Sequence, residues 1–290
     1  KGVYEFGSVF KTFTLAAALD EKLIEPETEF IDLPKSLMCA GFNIREYDNK
    51  IPASLTAEQI LIRSGNIGSV RIGQKLGEQK FKSFLSKIGI LEELKFDIDE
   101  VGKPLKFNWG KCPLATASFG HGITTTLLQI SKAYSIIVNG GHDLNPTFLK
   151  KTQNSKKKLI LDKNVSKKIL PILRKIVSTK EGTATLANID GYDIGGKTGT
   201  AQKSIGGNYS KKKINSFISV FPISNPKFIL AVMLDEPKIN SDYIYHFRDG
   251  SNIKYKGTPF NTAGWTTVEV TGQIIQKIGP ILATKYSEVN

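Results

Sequence analysis

The strongest constraint on the fold is a change of pattern in the last third of the chain. From Ser54 to Thr179 the residues are spaced almost wholly for helices. Thr56-Ala-Glu-Gln59 sets a hydroxyl at an N-cap with a glutamine three residues on, a capping box, and apolar Ile60-Leu61-Ile62 follows. That short helix is expected to stop at Ser64-Gly65-Asn66. Apolar spacing predicts further helices over Ile67–Leu76, Gln79–Ile88, Thr126–Val138 and Val165–Thr179. Beyond these, Tyr192–Gln202, Asn215–Phe221 and Lys227–Asp235 are strand-like runs, parted by the turn clusters Gly206-Gly207-Asn208 and Pro222–Pro226. They predict an antiparallel meander. Val268–Ile278 reads as a closing helix, stopped by Gly279-Pro280.

At the other end, Ser8–Leu19 follows Gly7 and is rich in helix formers, with Phe10, Phe13, Ala17 and Ala18 spaced for a deeply buried helix. Glu25–Ser54 is punctuated by Pro26, Pro34, Gly41 and Pro52 and reads as connecting loops with a short hairpin. Helix, helical insertion, sheet and closing helix together predict an α+β fold, an antiparallel sheet flanked by helices with an inserted all-helical lobe. One domain over residues 1–290 is expected, with the lobe at approximately 21–179 and the sheet lobe formed by 1–20 and 180–290.

A chain of 290 residues, 40% hydrophobic, can bury a sizeable core. Its formal net charge of +13 suits an anionic neighbour without naming one. Part of the excess is local: Lys150–Lys168 carries eight lysines and one acid, and Lys211–Lys213 adds three lysines. Neither run interleaves arginines or aromatics, so both read as solvated loops or hairpins and nucleic acid is not expected. Cys39 and Cys112 are too few for a disulfide framework and lack metal-ligand spacing with the histidines, so they leave the compartment open. No run approaches 18 apolar residues, and no signal peptide is recognised.

Three short elements carry chemistry. In Ser8-Val9-Phe10-Lys11, helical positions i and i+3 share a face, so an amine can reach the hydroxyl. A serine is a weak nucleophile until its proton is taken, and a lysine can take it if burial lowers its pKa far enough. The helix N-terminus also favours developing negative charge. Ser64-Gly65-Asn66 offers a hydroxyl and an amide from one turn. Lys197-Thr198-Gly199 sets a cation and a hydroxyl on a strand, beside a glycine whose missing side chain would let a ligand backbone lie along it. Each pattern is common by itself. Their order and contexts, helix start, inter-helix turn and strand, are not.

Together they resemble the S-x-x-K, Ser-x-Asn and K-T-G elements of penicillin-binding proteins and class A β-lactamases. Tyr4-Glu-Phe-Gly-Ser8, Leu15–Leu19, Ser118-Phe-Gly-His-Gly122, Leu128-Gln129, Ala133-Tyr134, Asn139-Gly-Gly141, Gly195–Gln202 and Leu234-Asp-Glu-Pro237 resemble the class B penicillin-binding proteins, most nearly the septal, cell-division transpeptidase, over most of residues 2–283. Departures at Phe6, Val9-Phe10 and Leu127 touch helix entry and packing. A Glu-x-x-x-Asn element of the lactamase kind does not occur between Asn66 and Lys197.

The resemblance implies a penicillin-binding-protein/serine β-lactamase-like transpeptidase fold. It implies that the domain starts well before its nucleophile, so an N-terminally truncated domain is expected. It further implies that Ser8, deprotonated by Lys11, attacks the carbonyl of a D-Ala–D-Ala stem peptide, with the oxyanion on the N–H groups of Ser8 and Thr200. Ser64 relays a proton with help from Lys197, Asn66 orients the substrate amide and the Lys11 amine, and Thr198, Gly199 and Thr200 bind substrate. No cofactor or metal is implied. The implied partners are stem peptides and lipid-linked glycan, β-lactams as covalent inhibitors, and division-machinery proteins including a glycosyltransferase. The implied location is the periplasmic face of the inner membrane, through an anchor in a missing N-terminal segment. A D,D-carboxypeptidase and a β-lactam-sensing domain share the motifs. His121, between two glycines, reads as structural, as do His142, His246, Trp109, Trp265 and Tyr243/Tyr245.

Overall fold

In a computed structural model, residues 2–150, 158–205, 208–257 and 260–287 are described. The chain enters through a 3-10 turn, Gly7–Val9, that runs into α1, Phe10–Asp20. Phe10 to Leu19 are buried without a break, because small and apolar residues occupy every face of this helix. Helices on one side and the sheet on the other can therefore both pack on it. Phe10, Phe13 and Tyr134 form an edge-to-face series, with centroids 5.2 and 5.5 Å apart, and the Tyr134 hydroxyl donates to Thr12 Oγ1 at 2.8 Å.

The stretch from Glu25 to Ser54 holds more strand than expected. Here β1 (Glu29–Phe30) pairs with the later β4 (Leu55–Thr56), and β2 (Ser36–Cys39) pairs with β3 (Phe42–Arg45) as a hairpin, all antiparallel. The inserted lobe is thus helical with two small strand pairs. Its helices are α2 (Ala57–Ile62), α3 (Asn66–Leu76), α4 (Glu78–Lys87), α5 (Lys111–Ala117), α6 (Leu127–Val138) and α7 (Lys163–Ser178). The capping box at Thr56 forms as read: Gln59 N–H donates to Thr56 Oγ1 at 3.3 Å, and Thr56 N–H to Gln59 Oε1 at 2.9 Å. A second box closes at Thr126 and Gln129.

Two sequence expectations need correction in this lobe. The end of the lysine run is not a loop: Lys163, Lys167 and Lys168 belong to α7, whose cap is Asp162 Oδ1, accepting from Asn164 N–H at 2.9 Å. An amphipathic helix carries lysines on its wet face as readily as a loop does. Residues 151–157 of the run lie outside the described residues. The two cysteines also pair. Cys39, at the turn end of the β2–β3 hairpin, is disulfide-bonded to Cys112 of α5, 73 residues away. Nothing in that spacing signals the bond, which exists because α5 and the hairpin both pack against α3.

The sheet is the predicted meander of β5 (Gly195–Ile205), β6 (Asn208–Phe221) and β7 (Phe228–Asp235), in that order and antiparallel. Lys197 lies opposite Ile218, and Thr200 opposite Asn215. Strand β6 begins before Asn215 because the polar stretch from Asn208 pairs with the end of β5 beyond the core. Gly206 and Gly207 of the expected turn lie outside the described residues. A hairpin of β8 (Ile244–His246) and β9 (Lys254–Lys256) precedes the last helix, α8, Thr267–Ser287.

Helix α8 does not stop at Gly279-Pro280 but runs through it. The glycine marks close packing instead: a Cβ there would lie 2.2 Å from the Tyr192 ring. Tyr192 joins Ile275 and Leu282 in a small apolar cluster that straddles the proline, so packing on both sides offsets the lost backbone hydrogen bond. The main core is continuous between the lobes, joining Phe6, α1, α3, α6 and α7 to Phe217, Ile218 and Val220 of β6. Among the described residues no helix is long and apolar enough to cross a membrane, and no His/Cys/Asp/Glu group could hold a metal.

Candidate active site

Ser8 sits half-buried in the 3-10 turn ahead of α1, three residues before Lys11, rather than in the first turn of the α-helix. Two close approaches press this turn onto β5. Gly7 has φ +53°, a left-handed conformation, and a Cβ there would lie 2.8 Å from the Thr200 carbonyl oxygen. A Cβ on Gly199 would lie 2.2 Å from Phe6 O and 2.8 Å from Val9 Cγ2. Gly199 therefore faces the turn that carries Ser8. Beside the expected room for a ligand backbone, this glycine has a packing reason: it lets strand and turn meet.

Two buried amines, one of them three residues after Ser8, converge on the turn that follows α2. Lys11 Nζ donates to the Ser64 carbonyl and to Asn66 Oδ1 at 2.7 Å, and lies 3.3 Å from Ser64 Oγ. Lys197 Nζ reaches across from β5 to Ser64 Oγ at 2.8 Å and to Thr198 O at 3.2 Å. Lys11 is 1% exposed and Lys197 0%. Ser64 ends α2 with φ +57°, a conformation that costs a non-glycine residue on the order of 1 kcal/mol or more. That backbone turns both its carbonyl and its hydroxyl toward Lys11.

Burial sets the electrostatics. It lowers the Lys11 amine from 10.5 to about 7, with the Glu46 carboxylate pulling the other way. Lys197 falls well below its ordinary value, first from burial and then from the nearby Lys11 charge. A neutral amine beside a hydroxyl is a proton acceptor at physiological pH.

The remaining predicted residues surround this centre. Asn66 opens α3 and its Nδ2 donates to Arg45 O at 2.7 Å. The Thr198 hydroxyl shares a hydrogen bond of 2.7 Å with Thr183. Thr200 Oγ1 accepts from Ala263 N–H at 3.0 Å, which leaves its own hydrogen free to donate outward. His121 packs at 4.2 Å between centroids on Tyr209 and lies 3.9 Å from Glu5 Oε2, beside the segment that leads to Ser8. A surface groove of about 930 Å³ lies on the helical lobe, lined by Gly89, Lys132 and residues within 92–97 and 145–150, and shares no residue with this cluster.

Sequence reasoning missed Glu46, Thr183 and the Cys39–Cys112 bond. None belongs to a motif, and each reaches the site only through the tertiary fold.

An antiparallel sheet backed by helices, with two buried amines around a serine hydroxyl where a helical lobe meets the sheet, defines the class of serine acyl-transfer folds that the motifs resemble. Comparison with known proteins narrows the class. The penicillin binding protein transpeptidase domain matches residues 1–251, and the chain belongs to that family. It is 28% identical to the probable peptidoglycan D,D-transpeptidase FtsI of Caulobacter vibrioides, over 98% of this chain and 47% of that protein. It is 32% identical to the stage V sporulation protein D of Bacillus subtilis, over 81% of this chain and 38% of that protein. The chain thus spans about half the length, or less, of these curated relatives. Among solved structures, the transpeptidase domain of Burkholderia pseudomallei penicillin-binding protein 3 superposes with a TM-score of 0.82 at 25% identity, covering 97% of this chain and 80% of that one.

Proposed function

We propose that this chain is the catalytic domain of a class B penicillin-binding protein, a serine D,D-transpeptidase that cross-links peptidoglycan stem peptides during cell division. The observation that carries the reading is the pair of buried amines, Lys11 and Lys197, on the hydroxyl of Ser64, with Lys11 three residues after Ser8 on the same turn-and-helix segment. Two lowered amines sharing a hydroxyl form a proton relay, and relays of this kind serve nucleophiles.

Neutral Lys11 accepts the Ser8 Oγ proton as the oxygen bonds to the carbonyl carbon of the penultimate D-Ala. The backbone N–H groups of Ser8 and Thr200, on the turn and the strand whose close approach Gly7 and Gly199 allow, receive the oxyanion; one such donor is worth about 3–4 kcal/mol. As the C–N bond breaks, the departing D-Ala amine takes the Ser64 hydroxyl proton, which the lysines replace. Asn66 holds Lys11 in place, and the hydroxyls of Thr198 and Thr200 with the Gly199 backbone bind the substrate's C-terminal end. The amine of a second stem peptide then attacks the acyl-enzyme, giving its proton to the same relay, and the C–O bond breaks as Lys11 returns a proton to Ser8 Oγ. β-Lactams acylate the same oxygen. Residues 1–290 act as one domain, since a single core joins its lobes.

Lipid-linked glycan as substrate, a glycosyltransferase and other division proteins as partners, and the outer face of the inner membrane as location belong to the same proposal. The Cys39–Cys112 bond supports an oxidising compartment. The membrane tether would be a segment beyond these residues. The test is labelling of the intact protein with a fluorescent penicillin. A lasting adduct that Ser8→Ala abolishes supports the reading, and equal labelling of that variant sinks the nucleophile. An adduct lost within seconds would instead indicate hydrolysis, the carboxypeptidase alternative.

A further inference from the structure

One carboxylate reaches this cluster from a segment without a motif. We infer that Glu46 is a positioning residue of the site, fixing Asn66 against Lys11, and that the Cys39–Cys112 bond holds Glu46 there. The inference rests on the reading of Lys11 as the base for Ser8.

Helix α3 starts without a side-chain cap, because its N-cap residue is Gly65. Its first N–H groups need acceptors, and a serine, threonine or aspartate at the cap would ordinarily supply one. Here both acceptors come from Glu46: Oε2 takes Asn66 N–H at 2.6 Å and Oε1 takes Ile67 N–H at 2.8 Å. A carboxylate also suits the positive end of the helix dipole. The neighbouring carbonyl of Arg45 accepts from Asn66 Nδ2 at 2.7 Å, and a carbonyl can only accept. The Asn66 amide is thereby locked with Oδ1 toward Lys11 Nζ, 2.7 Å away. Backbone and side chain of Asn66 are both set by two consecutive residues at the end of the β2–β3 hairpin.

That hairpin is short and its outer face is wet, so its own pairing would hold it weakly. The disulfide ties its turn end to α5, and α5 packs on α3, the helix that begins with Asn66. Hairpin, staple and helix thus form a closed circuit around Asn66.

Glu46 also acts at a distance. Its charge favours the protonated form of Lys11 against burial, while Lys197, from β5, is the other titratable amine on the Ser64 hydroxyl. A neutral helix cap would hold Asn66 but exert no such pull.

The test measures fluorescent-penicillin acylation of Ser8 in the intact protein against pH, for wild type, Glu46→Gln and Glu46→Asp, and for wild type after mild reduction. Glu46→Gln should move the midpoint to lower pH by about one unit and cut the plateau rate about tenfold. Glu46→Asp keeps the charge but shortens the reach, so it should lower the plateau with a smaller change of midpoint. Reduction should slow acylation several-fold, with recovery on reoxidation. An unlabelled wild type would overturn the nucleophile reading itself. A labelled wild type whose midpoint and rate survive both Glu46→Gln and reduction would overturn the role of Glu46 alone. If Glu46→Gln fails to fold, unchanged rates in the reduced wild type and in Glu46→Asp decide against it.

Discussion

Lys11 and Lys197, from a helix and a strand far apart in the chain, place their amines 3.3 and 2.8 Å from the single hydroxyl of Ser64. Water is excluded from both, so the repulsion between two charged amines would go unscreened. At neutral pH the pair therefore holds less than two charges.

This arrangement predicts a rising pH profile. Acylation of Ser8 should climb with pH through about 7, as Lys11 becomes neutral, and then level off. Stability should follow a linked course. Between pH 7 and 10.5 the unfolded chain keeps a proton that folded Lys11 has released, so this group adds stability as pH rises across that window and withholds it below. Stopped-flow labelling and denaturant melts at several pH values check both, and a flat rate from pH 6 to 9 would remove Lys11 as the base.

Ser64→Gly tests the shared hydroxyl without backbone strain, because glycine accepts φ +57° freely. The acylation rate should fall roughly 10²–10⁴-fold, the usual weight of a proton-transfer group. The melting temperature should shift by only a few degrees. A rate within threefold of wild type would mean that the relay bypasses Ser64.

Gly199→Ala places a methyl group 2.2 Å from Phe6 O and must part β5 from the Ser8 turn. The expected cost is about 1–3 kcal/mol of stability, as for other overpacking changes, together with a severe loss of acylation. Retention of full activity would show that the turn can retreat without disturbing Ser8.

Glu269 and Arg248 form a buried bidentate pair at 2.7 and 2.8 Å, with side chains 5% and 8% exposed, joined by the hydroxyl of Tyr243. Glu269→Ala leaves a guanidinium buried without its counter-charge and should destabilise the fold by about 3–5 kcal/mol. No residue of the Ser8 cluster bonds to this pair, so whatever protein folds should still be acylated at the wild-type rate. Urea melts and labelling, measured together, separate the two effects.

Much of this was legible in the residues. The box at Thr56 caps a helix, the three strands pair as a meander, and the motif residues Lys11, Ser64, Asn66 and Lys197 meet through direct hydrogen bonds. Local signals sufficed because caps, turns and periodicity act over a few residues. The same reasoning misread Gly279-Pro280 as a stop, since the Tyr192 ring that explains the glycine comes from the far side of the sheet region. It passed over Cys39 and Cys112 because loop closure over 73 residues leaves no mark on either neighbourhood.

The sequence by itself determined the α+β class, the main helices and the meander, and the motif residues that meet in one cluster. Only the tertiary structure decided their character. Burial, a property of the assembled core, brings Lys11 down to about 7, and a carboxylate from an unmarked hairpin pulls against it. A pKa and a long-range bond are set by what surrounds a side chain, and those surroundings come from segments that no local pattern brings together.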